Sequence, residues 1–206
     1  MRTNPFSPLQ RRMAAGSAAA VAAALGPAAS ADAATTPCID DAALTQVFAP
    51  WGDTDWYYLS PDGSLEGGGI GWRLAGGAAV VPETDPYGLA GDGDLRSLRL
   101  PRGASARSAP FCIRRDSRTV RWVQRGARTG TLLIEVEHLD EDATSPGRTL
   151  DVVRGHGDWR PSPEVNIPMI GTGARDEGFA IVALKFTALT GDWSIDDLFV
   201  DPRGRY

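Results

Sequence analysis

Trp193-Ser194-Ile195-Asp196-Asp197-Leu198-Phe199-Val200-Asp201 reads as a buried β-strand with two acids in its middle. Strands are depleted in Asp, and an ionised carboxylate without a partner is costly in a core. The pair therefore needs something electropositive. A bound cation suits two acids at once. Backbone N–H groups or an arginine are the alternatives. Strict alternation groups Asp197 with Ile195 and Phe199, and Asp196 with Leu198 and Val200.

The chain upstream has the same character. Gly and Pro interrupt every long helix, and short apolar runs alternate with turn signals. That pattern predicts an all-β antiparallel sandwich. Strands are expected at 56–60, 70–75, 78–82, 95–100, 110–114, 119–125, 131–139, 149–154, 163–167, 179–188 and 193–200. Val120 and Trp122 alternate with Arg121 and Val123, and Ile134 and Val136 alternate with Glu135 and Glu137. Joined by the loop 126–130, these two runs read as a hairpin. Arg121 would then stand opposite Glu135, with Val120, Trp122, Ile134 and Val136 facing inward. Ala180, Val182, Leu184 and Phe186 form a second inward row. A short helix is expected at 41–48, capped by Asp40 or Asp41.

The first 33 residues have the layout of a secretory signal peptide. Arg2, Arg11 and Arg12 precede the small and apolar run 13–25, and Ala31-Asp32-Ala33 offers a cleavage site. A cleaved leader at 1–33, a packed N-terminal extension at 34–58 and a sandwich at 59–206 are expected. No later run approaches the roughly 20 apolar residues of a membrane span. The product is expected to be secreted. The net charge of −5 argues against nucleic acid as a partner. In an oxidising compartment the two cysteines, Cys38 and Cys112, are expected to pair.

Motifs for catalysis are missing: no G-x-S-x-G elbow, no H-E-x-x-H, no P-loop and no dinucleotide fingerprint. His138 and His156 read as surface or turn residues. A glycosidase needs only two facing carboxylates, so an enzyme is disfavoured but left open. Trp72, Trp122, Trp159 and Trp193 are expected in the core. Trp51, Trp56, Tyr57 and Tyr58 form either an exposed stacking platform for sugars or a lid. The segment 96–128 holds ten arginines and one acid, Asp116. It reads as a positive face for an anionic polymer or as ordinary surface paired with the acids of 135–142.

Gly63-Ser64-Leu65-Glu66-Gly67-Gly68-Gly69-Ile70-Gly71-Trp72 resembles the opening motif of jelly-roll carbohydrate-binding modules of the galactose-binding-like type. There an N/D-G-x-aromatic-E run leads to glycines and G-W. Gly76-Gly77-Ala78, Tyr87, the Gly/Asp turn 91–94 and Ser97-Leu98-Arg99-Leu100 follow in that order. The stretch 193–200 resembles the closing motif, an aromatic followed by I-D-D-V-x-V. Leu65 departs from the usual aromatic, and 34–58 is additional to the common module. The whole also resembles secreted actinobacterial proteins of unassigned function. The resemblance implies a jelly-roll fold and a structural Ca²⁺ held by Glu66 with Asp196 or Asp197. It also implies a non-catalytic domain for extracellular or cell-wall polysaccharide; the aromatic cluster of the added segment supplies Trp56, Tyr57 and Tyr58 as candidate contacts. A secreted adhesion domain that binds protein, and a small jelly-roll hydrolase or lyase, are the rival readings.

Overall fold

The structure, a computed structural model, describes residues 43–114, 119–140, 143–144, 147–169 and 178–201. All belong to the unit Thr35–Tyr206. The leader expected at 1–33, the first residues of the helix expected at 41–48, and Cys38 lie outside the described residues.

Among the described residues, fourteen strands form two antiparallel sheets. In chain order they are β1 (Tyr58–Leu59), β2 (Arg73–Ala75), β3 (Ala79–Val81), β4 (Ser97–Leu100), β5 (Ser105–Arg107), β6 (Phe111–Arg114) and β7 (Thr119–Gly126). Then come β8 (Thr131–Asp140), β9 (Ala143–Thr144), β10 (Arg148–Arg154), β11 (Arg160–Pro161), β12 (Val165–Asn166), β13 (Phe179–Thr190) and β14 (Trp193–Val200). Sheet 1 runs β11-β7-β14-β4-β3, with β1 on β14 and β12 on β7; sheet 2 runs β10-β8-β13-β5-β2, with β6 on β13 and β9 on β8. This is the expected jelly-roll sandwich. Residues 43–48 form no helix. A single 3₁₀ turn at Ala49–Trp51 follows, with Pro50 inside it.

The inward rows pack against each other as alternation requires. Val120 and Trp122 of sheet 1 and Ile134, Val136, Ala180, Val182, Leu184 and Phe186 of sheet 2 are buried in one cluster. The Trp122 and Phe186 rings meet edge to face, 5.1 Å between centroids. Such a pair adds about 1 kcal/mol beyond its burial. Gly126 faces this core: a Cβ there would lie 2.6 Å from three atoms of the Trp193 ring.

The expected hairpin does not form. β7 pairs with β14, and β8 pairs with β13 and β10, so the loop 127–130 carries the chain from one sheet to the other. Alternation assigns the same inward faces to two strands side by side and to two strands facing across a core. Only backbone pairing separates these cases. The charge match that favoured Arg121 opposite Glu135 is worth tenths of a kcal/mol and does not decide it. Glu135 instead bonds Lys185, 3.1 Å, and Arg121 bonds Asp53, 2.5 Å.

Strand β14 is buried along its whole length, because its inner face and most of its outer face are covered. Its inner face meets the core. Over its outer face, Phe48 and Tyr57 from the N-terminal segment pack on Phe199, and the loop 82–95 covers Asp196. The β14–β7 register slips between Asp196 and Phe199, and Asp197 takes φ of +51°. This is a β-bulge. It adds a residue to β14, so strict alternation fails there. Leu198 and Val200 stay in the core, and Phe199 turns outward.

Candidate functional site

The bulge places both aspartates beneath the loop 82–95. There they meet Asp85 and Asp94 from that loop. Asp85, Asp94 and Asp196 each offer a carboxylate oxygen, all within 4.8 Å of one another. Asp85, Asp94, Asp196 and Asp197 are all at least nine-tenths buried. Asp196 Oδ1 accepts the Asp197 N–H at 3.0 Å, and its Oδ2 accepts the Asp85 N–H at 3.4 Å. Both oxygens of Asp94, both of Asp197 and Oδ2 of Asp85 are buried without a hydrogen-bond partner.

Four carboxylates so close cannot all carry charge out of water. Burial first, then the charges of Asp197, Asp94 and Asp85, push Asp196 up to about 10. Burial and the Asp94 and Asp85 charges push Asp197 up to about 8. Burial, then Asp85 and Glu66, push Asp94 up to about 6. Burial also raises Asp85. A cation would reverse this logic by making the charged form the stable one.

The donor set fits Ca²⁺, a hard ion that takes several oxygens, mostly from carboxylates and carbonyls. Five buried oxygens without donors are what such an ion would satisfy. Of the residues expected to hold it, Asp196 and Asp197 stand in the cluster. Glu66 borders it: this side chain is exposed, its Oε1 accepts the Leu95 N–H at 2.7 Å, and its charge reaches Asp94. Sequence reasoning missed Asp85 and Asp94. Their only signal is a loop rich in acids, which is common without any ligand.

Of the expected ligand contacts, the structure leaves only Trp56 exposed, at 44%. Tyr57 and Tyr58 are buried and cannot form a stacking surface. Tyr57 donates its O–H to Asp53 at 2.7 Å, and Tyr58 donates to the Cys112 carbonyl at 2.9 Å. The Tyr-Tyr pair alternates, with one ring on the sheet and one in the core, so both lose water. Burial alone would raise Asp53, but bonds from Tyr57, the Asp55 amide and Arg121 outweigh it and hold the carboxyl below its usual value. Asp53 also lies near Asp55 and Glu164, but its oxygens are already engaged. His138 is a further correction: it is buried, and its Nε2 bonds the Pro168 carbonyl at 2.9 Å. Cys112 is buried and is not a free cysteine.

The arginines of 96–128 do not make one face. Arg107 pairs with Glu137 on sheet 2, while Arg121 and Arg125 pair with Asp53 and Glu83 on sheet 1.

A groove of about 480 Å³ opens on the outer face of sheet 1, beside the acidic cluster. Its floor is a cross-strand row. Ser194 stands between Arg99 of β4 and Arg125 of β7, and Ala79 of β3 flanks Arg99. Val81, Glu83, Gly157 and Asp192 are among its other lining residues. Arg125 Nη2 donates to Glu83 at 2.6 Å and to Ser194 Oγ at 3.2 Å. Its guanidinium lies 5.0 Å from the centre of the Trp159 ring. Trp159 is therefore no core residue; it stands half-buried against Arg125. Tyr87 donates its O–H to the Trp159 carbonyl at 2.7 Å, and Trp51 packs edge-on to Tyr87 at 4.8 Å. By contrast, the outer face of sheet 2 presents Arg73, Arg107, Lys185 and Glu135 in one row, without a ring among them.

No protein-family model matches the chain, and no curated protein matches it. Among solved structures it is similar to a family 61 carbohydrate-binding module in complex with β-1,4-galactotriose. That match has 19% identity over 68% of this chain and 94% of the other, TM-score 0.44. It is similar also to the C-terminal family 22 module of Clostridium thermocellum Xyn10B, at 18% identity over 72% and 95%, TM-score 0.44. A xylan-binding domain of family 22 matches at 19% identity over 75% and 99%, TM-score 0.43. At this level the likeness carries no argument about ligand or site.

Proposed function

We propose that this chain is a secreted, non-catalytic domain that binds extracellular or cell-wall polysaccharide in the groove on sheet 1. One observation carries this reading: the groove sets polar side chains in a cross-strand row, with Arg125 held in place and the Trp159 ring packed against its guanidinium. A pyranose face packs on a flat ring while its hydroxyls seek fixed donors and acceptors. Arg125 is held by Glu83, Ser194 and Trp159, so its remaining donors are aimed before a ligand arrives. Glu83 and Asp192 both line the groove, which keeps a hydrolase as the rival. Each already serves the scaffold, Glu83 on Arg125 and Asp192 by accepting the Arg102 N–H at 3.0 Å. That favours binding over acid–base chemistry.

The reading includes a structural Ca²⁺ at Asp85, Asp94, Asp196 and Asp197. When bound, the ion would neutralise the buried carboxylates and tie the loop 82–95 to β14. That loop carries Glu83 and Tyr87 to the groove's side. A Cys38–Cys112 bridge and removal of the leader at 1–33 belong to the same proposal. The test is a glycan array run with Ca²⁺ and again with chelator. Binding of at least one polysaccharide, weakened by the chelator, is expected; silence on every glycan with Ca²⁺ present refutes the reading.

A further inference from the structure

We infer that the groove selects an acidic polysaccharide and that Arg99 receives the carboxylate of a uronate residue; this rests on the carbohydrate reading above. Two arginines line the groove, and the structure treats them differently. Arg125 is spent on Glu83, Ser194 and Trp159. Arg99 is exposed in the middle of β4, and its side chain has no hydrogen-bond or ion-pair partner among the described residues. Its neighbours across the row are Ala79 and Ser194. Both are small, so nothing shields the flank of the guanidinium from an incoming ligand.

The geometry suits a chain-like ligand. Arg99 and Arg125 lie on β4 and β7, with β14 between them. Two strand spacings separate them by about 10 Å, roughly the length of two linked sugar rings. A saccharide stacked toward Trp159 at the Arg125 end would pass across Ser194 and reach Arg99 with the next ring or the one after. A free guanidinium presents paired N–H donors that match a carboxylate bidentately. A neutral hydroxyl uses one of them at most.

The experiment is calorimetry on the full chain with uronate oligosaccharides: galacturonate, guluronate and glucuronoxylan fragments, each beside its carboxyl-reduced counterpart. Neutral galactan and xylan fragments complete the panel. At least one acidic form should bind about tenfold or more tightly than its reduced counterpart. Arg99→Gln should abolish that preference, weakening the acidic form about tenfold or more and the reduced form far less, with the melting temperature unchanged. Parity between acidic and reduced forms overturns the inference and leaves the carbohydrate reading standing. A preference that survives Arg99→Gln also overturns it. Failure to bind any member, charged or neutral, overturns the carbohydrate reading itself.

Discussion

Replacing Asp196 by Asn should make the metal-free protein more stable at neutral pH, the opposite of what most substitutions of fully buried residues do. Asp196 is fully buried and its pKa stands near 10, against 3.8 in the unfolded chain. Because the folded value is raised, the carboxyl favours the fold below pH about 4, and that contribution is lost as pH rises toward the folded value. From 3.8 to neutrality is about three units at about 1.4 kcal/mol each, so keeping this group inside costs up to about 4 kcal/mol at pH 7. Asn has the same shape and still accepts the Asp197 N–H through its oxygen. It carries no charge, so that cost disappears. For a domain of this size each kcal/mol moves Tm by about 3 °C, and a rise of up to about 10 °C is expected in chelator. At pH 4 the gain should vanish. Added Ca²⁺ should raise the wild-type Tm and leave the variant's nearly unmoved. Thermal melts at pH 4 and pH 7, with chelator and with Ca²⁺, measure all of this. A variant less stable than wild type at pH 7 in chelator, or one with a full Ca²⁺ response, would refute the reasoning.

Gly126→Ala should cost about 2 kcal/mol or more through overpacking, because its Cβ would overlap the Trp193 ring; urea unfolding reads this, and an unchanged midpoint would contradict the packing described. Asp53→Ala should cost about 3 kcal/mol by leaving the buried Arg121 guanidinium unpaired, while Asp53→Ala combined with Arg121→Met should recover much of that loss. Since Asp53 lies below its usual value, its contribution is present above pH about 4 and fades as acid titrates it, so the Asp53→Ala deficit should shrink in acid melts. Mass spectrometry of the exported protein should find Cys38 and Cys112 joined, two hydrogens lighter than the reduced chain; two free thiols would exclude the bridge.

Most strands and both inward rows were legible in the amino-acid pattern, because alternation of apolar and polar residues is a local property. The strands that escaped it, Ser105–Arg107, Ala143–Thr144 and Arg160–Pro161, are short and lack apolar runs. The acids of β14 were legible as an anomaly, since two adjacent aspartates in an apolar strand need an explanation wherever they fold. Their partners were not. Asp85 and Asp94 come from a loop more than a hundred residues earlier, and nothing in a loop's composition tells which of its acids will be buried.

The order of amino acids by itself determined an all-β sandwich and its core, because burial of every second side chain depends only on the strand's own periodicity. Tertiary structure alone decided that β7 and β8 face each other instead of pairing. It alone decided that a bulge turns both aspartates under one loop, that Tyr57 and Tyr58 lie buried, and that Arg99 stays open while Arg125 is tied. Each of these depends on which distant segment comes to cover a face, and that is set by the packing of the whole chain.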